Sequence, residues 1–129
     1  MDQKVLVVDD DPLTQRVLQH YLKRAGYEMV GAHSGREAIK IAKQDLPKLI
    51  ILDIMLPDIE GWEVLHQIQK TEATKNIPVV LLSGNTDLVT TDESLHSGAI
   101  QVLVKPINPE QLIAVIRKVL SEPGSKDSE

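Results

Sequence analysis

The feature that most constrains this chain is how its apolar runs are built and where they stop. Val5-Leu6-Val7-Val8 ends at Asp9-Asp10-Asp11, Leu49-Ile50-Ile51-Leu52 at Asp53, Val79-Val80-Leu81-Leu82 at Ser83-Gly84, and Val102-Leu103-Val104 at Lys105-Pro106. Each run has the length of a strand and is continuous in Val, Ile and Leu. That is the pattern of strands buried on both faces in a parallel sheet covered by helices. In an open parallel sheet the ligand site lies beyond the carboxyl ends of the strands. Carboxylates, a hydroxyl and a lysine are therefore expected to meet along one edge.

Helical patterns separate the runs. Asp11 reads as an N-cap with Pro12 in the first turn, and Leu13, Val17, Leu18, Tyr21, Leu22 and Ala25 follow helical spacing until Gly26. Residues 29–32 read as a short strand. Ser34 and Glu37 fit a capping box, with Ala38, Ile39, Ile41 and Ala42 as the buried face up to Leu46-Pro47. Residues 48–52, 78–82 and 100–104 read as the remaining strands, and 57–61 as a loop before a helix faced by Val64, Leu65 and Ile68. A helix is expected over 86–97, weakened by the β-branched Val89, Thr90 and Thr91. Asn108-Pro109 opens a last helix, apolar at Leu112, Ile113, Val115, Ile116, Val119 and Leu120. Strand–helix alternation predicts a doubly wound α/β sheet; right-handed crossovers prune its topology without selecting one strand order.

The chain's 129 residues make one domain, large enough for a core without staples. With no cysteine, disulfides and thiolate metal sites are excluded. No run approaches the roughly 20 apolar residues of a membrane span, and the amino terminus has no signal-peptide pattern. No membrane association is expected, and a cytoplasmic location is. A net charge of −5 without a basic stripe argues against direct nucleic-acid binding. Phenylalanine is absent, so the core must be aliphatic. Residues 1–120 read as the domain and 121–129, which contain Pro123-Gly124, as a polar tail or linker stub.

Asp9, Asp10 and Asp53 would gather carboxylates at two strand ends. A like-charge pair about 4 Å apart costs roughly 4 kcal/mol at an effective dielectric near 20, so the cluster needs a counter-charge. Mg²⁺ suits an all-oxygen donor set, whereas Zn²⁺ does not. Lys105 supplies a second positive charge, Ser83 a hydroxyl, and Gly84 an accessible N–H. Carboxylate, hard cation, lysine and hydroxyl together describe phosphoryl transfer to an aspartate. Each part alone has a plainer reading: Asp9-Asp10-Asp11 as helix capping, Asp53 and Ser83-Gly84 as turns. Their shared position at strand ends favours the chemical one. His20, His33, His66 and His96 have no metal-ligand spacing, and no glycine-rich phosphate loop or nucleophile elbow occurs.

The segments VLVVDDDP, LIILDIMLPDIEG, IPVVLLSG and LVKPINPEQL, in this order, resemble the receiver domain of two-component response regulators, chemotaxis-regulator-like, over about residues 3–120. The resemblance implies a flavodoxin-like (βα)5 fold with strand order 2-1-3-4-5. It implies Asp53 as the residue phosphorylated by a histidine kinase or a histidine phosphotransfer protein. Asp10 would ligate Mg²⁺ directly, with Asp53 and the Met55 carbonyl, while Asp9 would act through water. Ser83 and the Gly84 N–H would contact the phosphoryl group, Lys105 would pair with it, and the Lys105-Pro106 bond would be cis. Such a domain signals and is not an enzyme, although it catalyses its own phosphorylation and dephosphorylation. The side chains of Met55 and Asn85 would tune dephosphorylation. The downstream effector, the cognate kinase, a homodimer and membership of a larger protein stay open.

Two departures stand out. The aromatic residue usual three positions before the lysine is Val102, and the usual Lys-Pro-Phe is Lys105-Pro106-Ile107. The first removes the ring that normally follows the hydroxyl residue; the second is a packing change. Two other readings remain. A phosphohydrolase of the haloacid dehalogenase type would carry D-x-D, where this chain has Asp53-Ile54-Met55. A pseudo-receiver that only binds partners is kept open by Val102.

Overall fold

The computed structural model describes residues 3–84, 99 and 101–121. Strands β1 (Gln3–Val8), β2 (Tyr27–Ala32), β3 (Leu49–Asp53), β4 (Val79–Ser83) and β5 (Gln101–Val104) alternate with helices α1 (Pro12–Arg24), α2 (Gly35–Asp45), α3 (Gly61–Lys70) and α4 (Pro109–Ser121). All strand pairs are parallel, in the order β2-β1-β3-β4-β5. The helix expected over 86–97, Asn85 and residues 122–129 lie outside the described residues. Ser121 is the last residue of α4.

The continuous apolar runs are explained by a core on each face of the sheet. Side chains alternate across a strand, so Leu6, Val8, Ile50, Leu52, Val79 and Leu81 pack under α2 and α3. Val5, Val7, Leu49, Ile51, Val80 and Leu82 pack on the other face under α1 and α4. Both halves of the runs in β1, β3 and β4 are thus buried. Strands β3 and β4 extend one residue further than their apolar runs, so Asp53 and Ser83 are the last rungs of the ladder. β2 begins at Tyr27, two residues earlier than expected, because it pairs along the whole of β1.

Local chemistry sets the helix ends. Asp11 accepts the Leu13 N–H at 3.0 Å and the Thr14 hydroxyl at 3.0 Å, and Pro12 opens α1. Gly26 takes φ 93° just past the other end. Ser34 caps α2 through the Glu37 N–H, while Glu37 reaches back to the His33 N–H at 2.8 Å, one residue earlier than an ideal capping box. Of the apolar positions read on α1, only Leu18 and Leu22 are buried; Leu13 and Val17 face outward. The inward stripe of α1 is Gln15, Leu18 and Leu22, which displaces Leu13 and Val17 to its flank. On α2, Ala38 and Ala42 are buried and Ile39 and Ile41 half-buried.

The loop after β3 is locked in place. The Gly61 N–H donates to the Ile54 carbonyl at 2.7 Å, and a Cβ at Gly61 would stand 2.5 Å from the Ile54 Cα. Asp58 accepts the N–H groups of Gly35 at 2.8 Å and Arg36 at 3.0 Å, tying the loop to the start of α2. These bonds lower the pKa of Asp58 to about 2. A carboxyl whose folded pKa lies below its unfolded value of 3.8 stabilises fully above that value and loses the effect as pH falls through about 2. The melting-point advantage of wild type over Asp58→Ala should therefore be constant at neutral pH and shrink as pH drops from about 4 towards about 2. Melting curves across that window check it, and a difference independent of pH would refute the ionic clasp.

Candidate functional site

Three strand ends converge beyond the sheet's carboxyl edge. Asp9 follows β1: its N–H donates to the Ala32 carbonyl at 3.0 Å and its Oδ1 accepts the Asp11 N–H at 2.9 Å. Asp53 ends β3, with Oδ1 accepting the Met55 N–H at 3.0 Å. Lys105 follows β5, and its own N–H donates to the Ser83 carbonyl at 2.7 Å, joining the ends of β4 and β5. The Lys105 Nζ donates to Asp9 Oδ2 at 2.9 Å and to Asp53 Oδ2 at 2.7 Å. One ammonium therefore bridges two carboxylates that are 0% and 3% exposed. The Lys105–Pro106 bond is cis.

The remaining candidates fall around this bridge. Asp10 is exposed, and carboxylate oxygens of Asp9, Asp10 and Asp53 lie within 4.8 Å of one another, the one such acidic cluster among the described residues. Ser83 is buried at the end of β4, Gly84 is exposed with open space where a Cβ would stand, and the Met55 side chain is exposed. Val102 is half-buried against the core over β3 and β4. His20, His33 and His66 are exposed and none belongs to this acidic cluster; His96 is outside the described residues.

Electrostatics follow burial. Removal from water pushes the Asp53 carboxyl above its ordinary range, and the bonds from Lys105 and the Met55 N–H offset only part of that rise. Burial works against the Lys105 ammonium too, but its bonds to Asp53 and Asp9 and their charges outweigh it, so its pKa is raised. The two partners thus move in the same direction. Asp53 is the more deeply enclosed, which is why desolvation prevails on the acid and not on the base.

Reading the sequence for charged strand ends leaves out Gln15. It is 7% exposed, and its side-chain amide donates to the carbonyls of Val7, Asp9 and Ala32 at 3.1, 2.9 and 2.9 Å. The available signal was its spacing from Leu18 and Leu22, which puts a polar residue on the buried stripe of α1. Thr74 is likewise buried and polar, its hydroxyl donating to the Ile68 carbonyl at 2.7 Å to close α3.

A flavodoxin-like 2-1-3-4-5 sheet with acids and a lysine on its carboxyl edge defines a receiver-type signalling domain. The chain belongs to the response regulator receiver domain family, which residues 5–117 match. The alkaline phosphatase synthesis transcriptional regulatory protein PhoP of Bacillus subtilis is 34% identical, covering 100% of this chain and 54% of its own length. A probable transcriptional regulator ycf27 of Porphyridium aerugineum is 35% identical over 92% of this chain and 48% of its own. The chain spans about half the length of these relatives. Among solved structures, the chemotaxis response regulator CheY4 of Vibrio cholerae superposes with a TM-score of 0.85 at 34% identity, covering 92% of this chain and 99% of that one. No helix among the described residues is long and apolar enough to cross a membrane.

Removing Lys105 would leave two buried carboxylates without their counter-charge. Lys105→Met should lower metal-free stability by about 3 kcal/mol, the order found when one member of a buried ion pair is deleted. Added Mg²⁺ should recover much of that loss, because a bound cation replaces the missing charge and stabilises by mass action. Chemical denaturation with and without Mg²⁺ measures both effects; a loss that Mg²⁺ leaves unchanged would contradict this account.

Proposed function

We propose that this chain is a phosphoacceptor signalling domain. Asp53 takes a phosphoryl group from a histidine kinase or a histidine phosphotransfer protein, in a Mg²⁺-dependent reaction in the cytoplasm, and the resulting change signals to a downstream effector. The observation that carries this reading is the buried Asp53 carboxylate held 2.7 Å from the Lys105 ammonium beside Asp9 and Asp10. We take residues 1–120 as the receiver domain and 121–129 as a tail or linker stub.

An Asp53 carboxylate oxygen forms the new bond to phosphorus in line with the P–N bond that breaks. The N–P electron pair stays on the imidazole, which leaves neutral when its other nitrogen carries the proton. Lys105 turns from the carboxylate to the phosphoryl oxygens, and the Ser83 hydroxyl and Gly84 N–H donate to the same group. The all-oxygen donor set suits a hard cation, with Asp10, Asp53 and the Met55 carbonyl holding it directly. Asp9, fully buried beside them, would act on it through water. When bound, Mg²⁺ supplies positive charge to the phosphoryl oxygens. The same groups let the domain catalyse its own phosphorylation and dephosphorylation, without turnover of a separate substrate.

A groove of about 570 Å³ runs from Lys105 along α1, walled by Leu13, Val17, Pro106 and Ile107. Leu13 is 64% exposed and Val17 39%. An apolar wall that ends at Lys105, whose ammonium bonds the Asp53 carboxylate, suits the helix carrying a phosphohistidine, which must bring its imidazole to Asp53.

Intact-mass spectrometry after acetyl phosphate treatment should show one added phosphoryl group, absent from Asp53→Asn and from chelated samples. Equal labelling of Asp53→Asn would refute the assignment. Separately, Leu13→Asp with Val17→Asp should slow transfer from a phosphohistidine protein by about tenfold or more, while leaving acetyl phosphate labelling unchanged. Equal slowing with both donors would assign the effect to the site and not to docking.

A further inference from the structure

The geometry points to Gln15 as a positioning residue that fixes the Asp9-Asp10 turn for the cation, with Gly31 as the notch that seats it. The inference rests on the proposed Mg²⁺-dependent function and adds a residue from a part of α1 that touches no acid side chain of the cluster.

Gln15 lies four residues past the N-cap Asp11, and helical side chains slant back towards the N-terminus. Its amide therefore reaches over the end of β1. There the carbonyls of Val7, Asp9 and Ala32 converge on a single nitrogen at 2.9–3.1 Å. Two hydrogens serve three acceptors, so the nitrogen is confined to one place. The bond to the Asp9 carbonyl completes that residue: its N–H is taken by Ala32, its Oδ1 by Asp11 and its Oδ2 by Lys105. Among the described residues Asp10 has no such restraints, and it inherits its position from the residue before it. A backbone held at Asp9 presents Asp10 to the cation; a backbone released there presents a mobile carboxylate.

Gly31 supplies the second half of the device. A Cβ at Gly31 would stand 2.5 Å from the Gln15 Oε1. The amide end of Gln15 is the part able to yield, so a methyl there would push it off its carbonyls. Neutrality matters as well. A glutamate in this place would direct carboxylate oxygens at three carbonyls, whereas the amide offers donors without adding charge beside the acids.

Mg²⁺ titration of the intact protein by calorimetry tests this. Gln15→Met keeps the volume and removes the donors, and should weaken Mg²⁺ binding about tenfold, the lower end of the effect of losing an outer-shell partner. Gly31→Ala should weaken it similarly and carries the test if Gln15→Met does not fold. Leu22→Ala, which destabilises the same helix from its other end, should leave the constant unchanged. In metal-free protein, amide hydrogen exchange at Asp9 and Asp11 should quicken in Gln15→Met or Gly31→Ala and stay unchanged in Leu22→Ala. Wild-type binding with an unaltered constant in Gln15→Met or, if that variant does not fold, in Gly31→Ala overturns the inference, as does equal weakening in Leu22→Ala. If wild type binds no Mg²⁺, the proposed metal dependence fails. The exchange measurement then decides Gln15 alone, faster exchange supporting the clamp and unchanged exchange rejecting it.

Discussion

The bridge from one lysine to two buried carboxylates is what the rest of this structure accommodates. Asp9 and Asp53 end neighbouring strands, and Lys105 reaches them from β5, the far edge of the sheet. Two carboxylates this enclosed repel each other and lose hydration, and the ammonium offsets both costs only while it touches both. The strand ends must therefore meet in a fixed register. The backbone bond from Lys105 to Ser83 fixes the lysine's side of that register, and the bond from Asp9 to Ala32 fixes the acid's side.

That register comes from the sheet's two-sided core. Because successive residues of β1, β3 and β4 feed opposite apolar layers, a slip by one residue would exchange the layers and turn each strand-end residue to the other side. Beyond the ladder the chain is held by backbone contacts. Gly61 closes on Ile54 where no side chain fits, and Asp58 pins the same loop to α2. The segment following Asp53 is consequently tied at both its near and far ends, which keeps Met55 beside the carboxylate whose Oδ1 accepts its N–H.

Much of this was legible in the residues. Continuous Val, Ile and Leu runs implied a sheet buried on both faces, and the residues that stop those runs are the ones that meet at its edge. The resemblance supplied the strand order and the cis bond at Lys105, both observed. Less legible were features that depend on what a side chain finds across the fold. Leu13 and Val17 fit an apolar stripe, but the sheet lies under Gln15, Leu18 and Leu22. No spacing rule tells that a glutamine serves three carbonyls from two strand ends. Asp58 looked like a loop residue because its partners, Gly35 and Arg36, are more than 20 positions away. The ends of β3 and β4 lie one residue past their apolar runs, because hydrophobicity marks burial whereas the ladder continues through Asp53 and Ser83.

The substitution of an aromatic by Val102 bears on how a change at Asp53 would travel. A β-branched side chain has little freedom at χ1, and Val102 is half-buried over the core of β3 and β4. It cannot trade a buried for an exposed position as a ring does. The structure offers a different mechanical link: the Ser83 carbonyl is bonded to the Lys105 N–H, and the Lys105 ammonium is bonded to Asp53. Under the proposed function, phosphorylation alters the partner of that ammonium and the partner of the Ser83 hydroxyl together. The ends of β4 and β5 are joined through backbone, so any displacement of one is delivered to the other without a side-chain rotamer between them. The main chain at the sheet edge is then the element that responds.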